Sequence, residues 1–101
     1  MEERNFHILV LRTTDRSGRD LYSQLFTPDE RLYDTLMSEC KEGSELSQSY
    51  KLEMVAGINL NVSDERDLGN LFANSSRILA RLNEGEEISG LEVINSILGQ
   101  D

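Results

Sequence analysis

The sequence feature that most constrains the fold is an alternating stretch from Tyr50 to Val62. Every second residue of this stretch is apolar and most of the residues between them are polar; the apolar row is Leu52, Met54, Ala56, Ile58, Leu60 and Val62. A side-chain period of two is the pattern of a β-strand, because successive Cβ atoms point to opposite faces. We therefore predict a long strand with one buried face. Gly57 near its middle predicts a bulge, a bend or a break at that point.

Two further strands are predicted earlier in the chain. Asn5–Thr13 carries apolar residues on both faces, which is typical of a central strand. Asp15–Gly18 has the composition of a turn. The next segment, Arg19–Phe26, is ambiguous. Leu21, Ser23 and Leu25 would share one face of a strand, whereas Leu21, Tyr22, Leu25 and Phe26 also fit a short helix. A hairpin, with this segment paired back on the first strand, is favoured.

The first helix is predicted from the segment Thr-Pro-Asp-Glu, which begins at Thr27. Thr27 can act as the N-cap, with the proline at the first helical position and the glutamate at the third. The helix is expected to continue to Cys40 or Lys41, with Gly43 as a stop and a polar loop over Glu42–Ser49. The residues expected to face inward are Leu32, Tyr33, Leu36, Met37 and Cys40.

Two more helices follow the long strand. Ser63 is the expected N-cap of the first, which has acids in its first turn and should end near Asn83, with Gly85 as the stop. Its apolar stripe is Leu68, Leu71, Phe72, Ser75, Ile78, Leu79 and Leu82. A short last helix is expected over Ser89–Leu98, ending at Gly99. Its inward row is Leu91, Ile94, Ile97 and Leu98.

This order of elements predicts an α+β fold. We expect a small, mainly antiparallel sheet of three to four strands, two longer helices and a short C-terminal helix, in the order ββαβαα. At 101 residues the chain should form a single domain over residues 1–101, with its ends (about 1–4 and 99–101) loosely ordered. Because both amphipathic helices border the long strand in sequence, both are expected to pack on its even side. Its odd side would then be wet or contact a polar partner.

The charge of the chain restricts its partners. There are 19 acidic residues and 10 basic ones, which gives a formal net charge of −9. This balance disfavours direct binding to nucleic acid or to an anionic membrane, because phosphate contacts depend on Lys and Arg. It favours another protein with a basic surface, although a charge that serves solubility alone is an alternative. The single cysteine, with no secretory signal and no apolar run of membrane-spanning length, favours the cytoplasm of a cell or of an infected host.

Residues with catalytic or metal-ligating chemistry are few. A nucleophilic dyad would require the one histidine, His7, to meet the one cysteine, Cys40. We expect instead that His7 lies at the edge of an apolar face and that Cys40 packs as a small hydrophobic residue. The sequence has no pair of ligand-spaced His or Cys residues, no glycine-rich phosphate loop and no nucleophile-elbow motif. It therefore predicts no catalytic residue, no metal site and no cofactor.

Two groups of charged residues are candidate contact sites. Arg12, Arg16 and Arg19 cluster near the predicted turn and are candidate anion contacts, although pairing with the neighbouring Asp15 and Asp20 is favoured. Acidic residues concentrate in two segments, and they would resemble a phosphate array if both segments lay on one face. The candidate partner contacts among them are Asp29, Asp34, Glu39, Glu84, Glu86 and Glu87.

Together these features favour a non-catalytic acidic protein-interaction module. Its role would be that of a regulator or inhibitor that docks on a basic surface of a partner protein, for example a nucleic-acid-binding surface. Small acidic inhibitors of nucleic-acid enzymes, including those made by phages, share this general character, but no motif here identifies such a family. The alternative is a small ligand-binding domain or minor enzyme that uses scattered carboxylates and arginines in an apolar pocket. A homodimer is compatible with either hypothesis.

The inward assignment of the long strand can be tested with a Leu60→Asp variant. If Leu60 is buried, the variant should lose several kcal/mol of unfolding free energy, because a carboxylate would be buried without a partner. Urea denaturation followed by circular dichroism measures this loss. A variant that unfolds like the parent would contradict the assignment.

Overall fold

The computed structural model describes residues 3–41 and 51–100, which form an α+β domain. Its six elements follow the predicted order ββαβαα. In chain order they are β1 (Arg4–Thr14), β2 (Asp20–Thr27), α1 (Glu30–Glu39), β3 (Glu53–Val62), α2 (Glu65–Asn83) and α3 (Gly90–Leu98). The ambiguous segment is therefore a strand, as favoured. The predicted loop over 42–49 and its stop at Gly43 lie outside the described residues.

The three strands form an antiparallel sheet in the order β2-β1-β3. β1 is central, as its two apolar faces predict: Ile8, Leu9 and Val10 are successive residues and all three are almost fully buried. Successive side chains of a strand point to opposite faces, so a run of this kind requires a core on each side of the sheet. Each such side chain contributes roughly 1.5–3 kcal/mol when it is fully removed from water.

Each face of the sheet has its own hydrophobic core. The even-numbered face of β1 packs against α2 and α3, whose most buried hydrophobic residues are Ile78, Val93 and Ile97. The odd-numbered face packs against α1 through Leu9, Leu11, Tyr33 and Leu52. The prediction that both amphipathic helices cover one side of the long strand is therefore wrong. The second apolar face of β1 must also be covered, and α1 covers it.

The long strand contains a β-bulge at Val55, two residues before Gly57, where the sequence predicted a bulge, a bend or a break. Val10 pairs with Ala56, while the next residue, Leu11, pairs with Met54, so that Val55 is the extra residue. A bulge reverses the alternation of faces beyond it. The even row from Ala56 to Val62 lies on the α2–α3 side, but Leu52 belongs to the α1 core and Met54 is 43% exposed. Leu60 is only half-buried, so an aspartate at 60 would be partly solvated and the expected loss of stability is correspondingly smaller.

Gly57 permits close contact between β3 and α1. It pairs with Leu9 of β1, and the hydroxyl oxygen of Tyr33 would lie 2.5 Å from a Cβ atom built on Gly57. Real Cβ atoms do not tolerate such a contact, so any larger residue would push the Tyr33 ring away. Tyr33 is the buried anchor of α1. Gly57 thus permits close packing next to the bulge, and β3 continues through it without a break.

Two of the predicted helix caps are displaced by one or two residues. Asp29, and not Thr27, caps α1: its carboxylate accepts hydrogen bonds from the backbone N–H groups of Arg31 and Leu32. Thr27 ends β2, and its hydroxyl accepts a hydrogen bond from the N–H of Asp29. Asp64, and not Ser63, caps α2. In both cases an aspartate follows the predicted cap and accepts the orphan N–H groups at the start of the helix.

α1 ends at Glu39, one residue before the predicted range of Cys40 or Lys41, whereas the remaining helix ends agree with the sequence. α2 ends at Asn83 and is followed by Gly85 with a positive φ of 94°. Ser89 caps α3, and Gly99 ends it in the left-handed conformation. Arg4 is the first residue of β1, and Gly99 is the C-cap of α3.

Three helix residues that were predicted to face inward are exposed. Leu32 is 42% exposed, Phe72 54% and Leu91 69%, whereas Val93, which the sequence analysis did not select, is fully buried. Helical spacing defines a broad stripe, and the angle at which a helix meets the sheet decides which edge of that stripe is covered. Among the described residues, no helix has the length and hydrophobicity needed to cross a membrane.

The packing role of Gly57 predicts opposite effects for two glycine-to-alanine changes. Gly57→Ala should lower the unfolding free energy by about 1–3 kcal/mol, because the added methyl group collides with Tyr33. Adding Tyr33→Phe, which removes the colliding oxygen, should recover part of this loss. Urea denaturation of the single and double variants measures both effects.

Gly69→Ala is the matched control. Gly69 lies inside α2 with nothing within 4 Å of the added atom. This change should raise the unfolding free energy by about 0.5–1 kcal/mol through helix propensity. Equal effects of the two alanine substitutions would contradict the steric explanation.

Candidate functional site

Arg12, a predicted anion contact, is already bound to a carboxylate. It forms an ion pair with Glu53, its direct partner on β3, and a hydrogen bond with the side chain of Tyr22. These interactions, the bond to Glu53 first, raise the pKa of Arg12 above its usual value. Arg12 is therefore paired within the sheet, but with Glu53 of β3 and not with the neighbouring Asp15 or Asp20 favoured from the sequence.

Asp15 organises the turn between β1 and β2. Its Oδ1 atom accepts hydrogen bonds from the N–H and hydroxyl of Ser17, at 2.9 and 2.6 Å, and from the N–H of Arg19 at 2.9 Å. The Ser17 hydroxyl, and next the Arg19 N–H, hold the pKa of Asp15 below its usual value. Asp15 is thus a structural turn residue. Arg16, at the tip of the same turn, is exposed.

A surface groove of about 450 Å³ brings together two of the predicted arginines and one of the predicted acidic segments. It lies where β1 and β2 face the connection between α2 and α3. Its charged residues are Arg12, Arg19, Asp20, Glu84, Glu86 and Glu87. Carboxylates outnumber guanidinium groups in this lining, and Arg12 is also paired with Glu53. The groove is therefore net acidic.

One of these carboxylates is held by an arginine on α2. Glu86 accepts two hydrogen bonds from Arg81, at 2.8 Å from Nε and 2.5 Å from a terminal nitrogen. The Arg81 hydrogen bonds hold the pKa of Glu86 below its usual value. This bidentate pair fixes the connection that carries Glu84 and Glu87, both of which are exposed.

The acidic residues of α1 lie elsewhere. Asp29 is engaged as the cap of α1, Asp34 is exposed, and Glu39 is half-buried at the last position of the helix. α1 packs on the face of the sheet opposite to α2 and α3. The two predicted acidic segments are thus on different sides of the sheet in the described structure, and a single continuous acidic face does not form from these residues.

His7 and Cys40 are both engaged in packing. His7 is 7% exposed, its Nδ1 atom lies 2.7 Å from Oδ1 of Asn59, and its ring centroid is 5.0 Å from that of Tyr33. Cys40 follows α1 and packs against the α1 core. Burial, and next the charge of Glu39, raise the pKa of the Cys40 thiol. This shift is opposite in direction to the one that activates a nucleophilic thiolate.

Asn83 links α2 to the edge of the sheet, a role that its sequence position at the helix end does not indicate. The Oδ1 atom of Asn83 accepts the N–H of Tyr22 at 2.8 Å, and its Nδ2 atom donates to the carbonyl of Tyr22 at 3.0 Å. The side-chain amide of Asn83 thus makes the two hydrogen bonds with Tyr22 that the backbone of a neighbouring strand would make. The two residues are 61 positions apart, and nothing local to either one signals the contact.

Comparison with known proteins gave no match. No protein family, no curated sequence and no solved structure is significantly similar to this chain. Within the described ranges, no group of three or more His, Cys, Asp or Glu side chains is placed to hold a metal ion. The groove is therefore interpreted from its own residues alone.

The raised pKa of Cys40 predicts slow alkylation of the folded protein. At about pH 8.5, where a free thiol is roughly half ionised, iodoacetamide should modify Cys40 more slowly in the folded chain than in the urea-unfolded chain. Burial lowers both the thiolate fraction and its accessibility. Mass spectrometry at timed intervals measures the two rates. Faster modification of the folded chain would instead indicate an activated cysteine.

Proposed function

We propose that this chain is a non-catalytic acidic protein-interaction module that docks on a basic surface of a partner protein. The observation that supports this function best is the net acidic groove between the β1–β2 hairpin and the connection from α2 to α3. In this groove, several of the carboxylates that give the chain its net negative charge line a concave surface. A site of this kind favours a lysine or arginine side chain of another protein.

The shape and charge of the groove fit a basic segment better than an anion. Its volume of about 450 Å³ is sufficient for one or two long side chains. Glu84 and Glu87 are exposed there, and neither has an arginine partner among the described residues. The aromatic ring of Tyr22 lines the same groove and can pack against the apolar stem or the planar head of an arginine.

The proposed role is that of a regulator or inhibitor. A partner surface that binds nucleic acid is rich in Lys and Arg placed to contact phosphates, and carboxylates can occupy the same positions. An inhibitor of the phage type would act in this way. The second group of acids, on α1, lies on the other side of the sheet and would not contribute to the same contact.

The preference for binding over catalysis is supported by the state of the chemically active side chains. His7 is stacked against Tyr33 and bonded to Asn59, and Cys40 has a raised pKa. Neither residue lines the groove. The charged residues that do line it are suited to electrostatic recognition, which acts mainly on association rate and specificity.

The proposal predicts salt-dependent binding through Glu84 and Glu87. The immobilised chain should retain a basic partner from lysate at low salt and release it at high salt, because exposed charge pairs are screened. For a defined probe, an octa-arginine peptide should bind with an affinity that falls as salt rises, measured by fluorescence anisotropy. The variant Glu84→Gln/Glu87→Gln should weaken both interactions.

The matched control is Glu30→Gln/Asp34→Asn. This variant removes the same amount of charge from exposed positions on α1, on the opposite side of the sheet. It should bind the peptide almost as the parent does. Equal weakening by the two variants would show that net charge, and not the groove, governs binding. Binding that is insensitive to salt would contradict the electrostatic mechanism.

A further inference from the structure

We propose that the free edge of β2 pairs with the same edge of a second copy of this chain, through the main-chain groups of Gln24 and Phe26. β2 lies at one end of the sheet order β2-β1-β3, so one of its edges has no neighbouring strand among the described residues. Edge strands present unpaired N–H and C=O groups and are templates for pairing with another chain.

The direction of the main-chain groups of β2 follows from two contacts. At the turn, the N–H of Asp15 donates to the carbonyl of Arg19 at 3.0 Å, so the main-chain groups of Arg19 point toward β1. The N–H and C=O of Tyr22 bond to Asn83 and so point away from β1. The register between β1 and β2 has no irregularity, and the direction alternates along a strand. The groups of Gln24 and Phe26 therefore also point outward.

The open part of this edge is limited at both ends. Asn83 occupies the outward groups of Tyr22, and Pro28 has no N–H to donate. Gln24 and Phe26 lie between these limits. No hydrogen bond from the described residues is recorded for their outward main-chain groups. The edge is thus blocked at Tyr22 and at Pro28. The main-chain groups of Gln24 and Phe26 between them form a short segment that can pair with another strand.

A second copy is the occupant that the charges favour. Residues 21–28, Leu-Tyr-Ser-Gln-Leu-Phe-Thr-Pro, contain no charged side chain, although the chain carries a net charge of −9. Edge strands are commonly protected by charged residues, and residues 21–28 contain none. Two acidic copies repel each other least where they meet through an uncharged strip. A basic partner would gain no electrostatic attraction from this strip.

The segment is also self-complementary. A two-fold axis at Leu25 places Gln24 of each copy opposite Phe26 of the other, and each of these pairs can exchange both main-chain hydrogen bonds. Leu25 would face its own counterpart in a pair without hydrogen bonds, because its main-chain groups point toward β1. The two sheets would join into one continuous sheet.

An aromatic anchor lies beside this edge. The three phenylalanines of the chain form a connected row: the ring centroid of Phe26 is 5.7 Å from that of Phe6 and 6.2 Å from that of Phe72. Phe72 is 54% exposed on α2, next to the free edge of β2. A second β2 strand would cover part of this ring and remove it from water.

The experiment measures mass and amide exchange together. Sedimentation equilibrium of the purified chain from about 10 µM to about 1 mM should show a monomer–dimer equilibrium, since so short a pairing gives a weak interface. Hydrogen exchange by NMR should show protection of the Gln24 and Phe26 amides that rises with concentration. The amides of Leu25 and Tyr22 are internal controls, because they are bonded within the monomer. Their protection should not depend on concentration.

Salt and a matched pair of variants complete the test. Raising the salt concentration should strengthen the dimer, because it screens the repulsion between two acidic copies. Binding in the acidic groove should show the opposite dependence. Phe72→Gln should weaken dimerisation about tenfold, from the loss of apolar contact area. Leu91→Gln, at a residue of α3 that is 69% exposed, should leave it unchanged.

Three results would overturn the proposal. The first is a chain that stays monomeric at about 1 mM, with freely exchanging Gln24 and Phe26 amides. The second is a dimer that forms without protecting these two amides, which would place the contact elsewhere. The third is an equal effect of the two glutamine substitutions, because a dimer through the β2 edge depends on Phe72 and not on Leu91.

Discussion

The fold depends on the burial of β1 on both of its faces. Ile8, Leu9 and Val10 follow one another in sequence and point alternately to the two sides of the sheet. A strand of this kind is stable only when both sides are covered. α2 and α3 supply one cover and α1 supplies the other, so the three layers of the domain follow from one central strand.

The two covers are attached in different ways. α2 and α3 pack through wide apolar stripes, whereas α1 is short and depends on Tyr33, which fits over Gly57. The bulge at Val55 moves Leu52 to the α1 side, where it adds to the smaller core. The bulge, the glycine and the tyrosine therefore act together to build the second face.

A three-stranded sheet with a central β1 leaves β2 at an edge, and both proposed contact surfaces depend on this position. Near the hairpin turn, Asn83 closes the edge and the connection from α2 to α3 forms the acidic groove. Toward Pro28 the edge is uncharged and has no neighbouring strand in the part of the chain that the structure describes. One strand thus separates a charged surface suited to a basic partner from a neutral surface suited to a second copy.

The sequence by itself determined the element types, their order and most of their ends to within about two residues, because periods of two and three to four residues and capping signals are local properties. It identified β1 as central from its two apolar faces. Only the tertiary structure decided that α1 covers the second face, that the bulge falls at Val55, and that Glu84–Glu87 meet Arg12 and Arg19 while the acids of α1 do not. These outcomes depend on contacts between residues far apart in the chain, such as Tyr22 with Asn83, and no local pattern encodes such contacts.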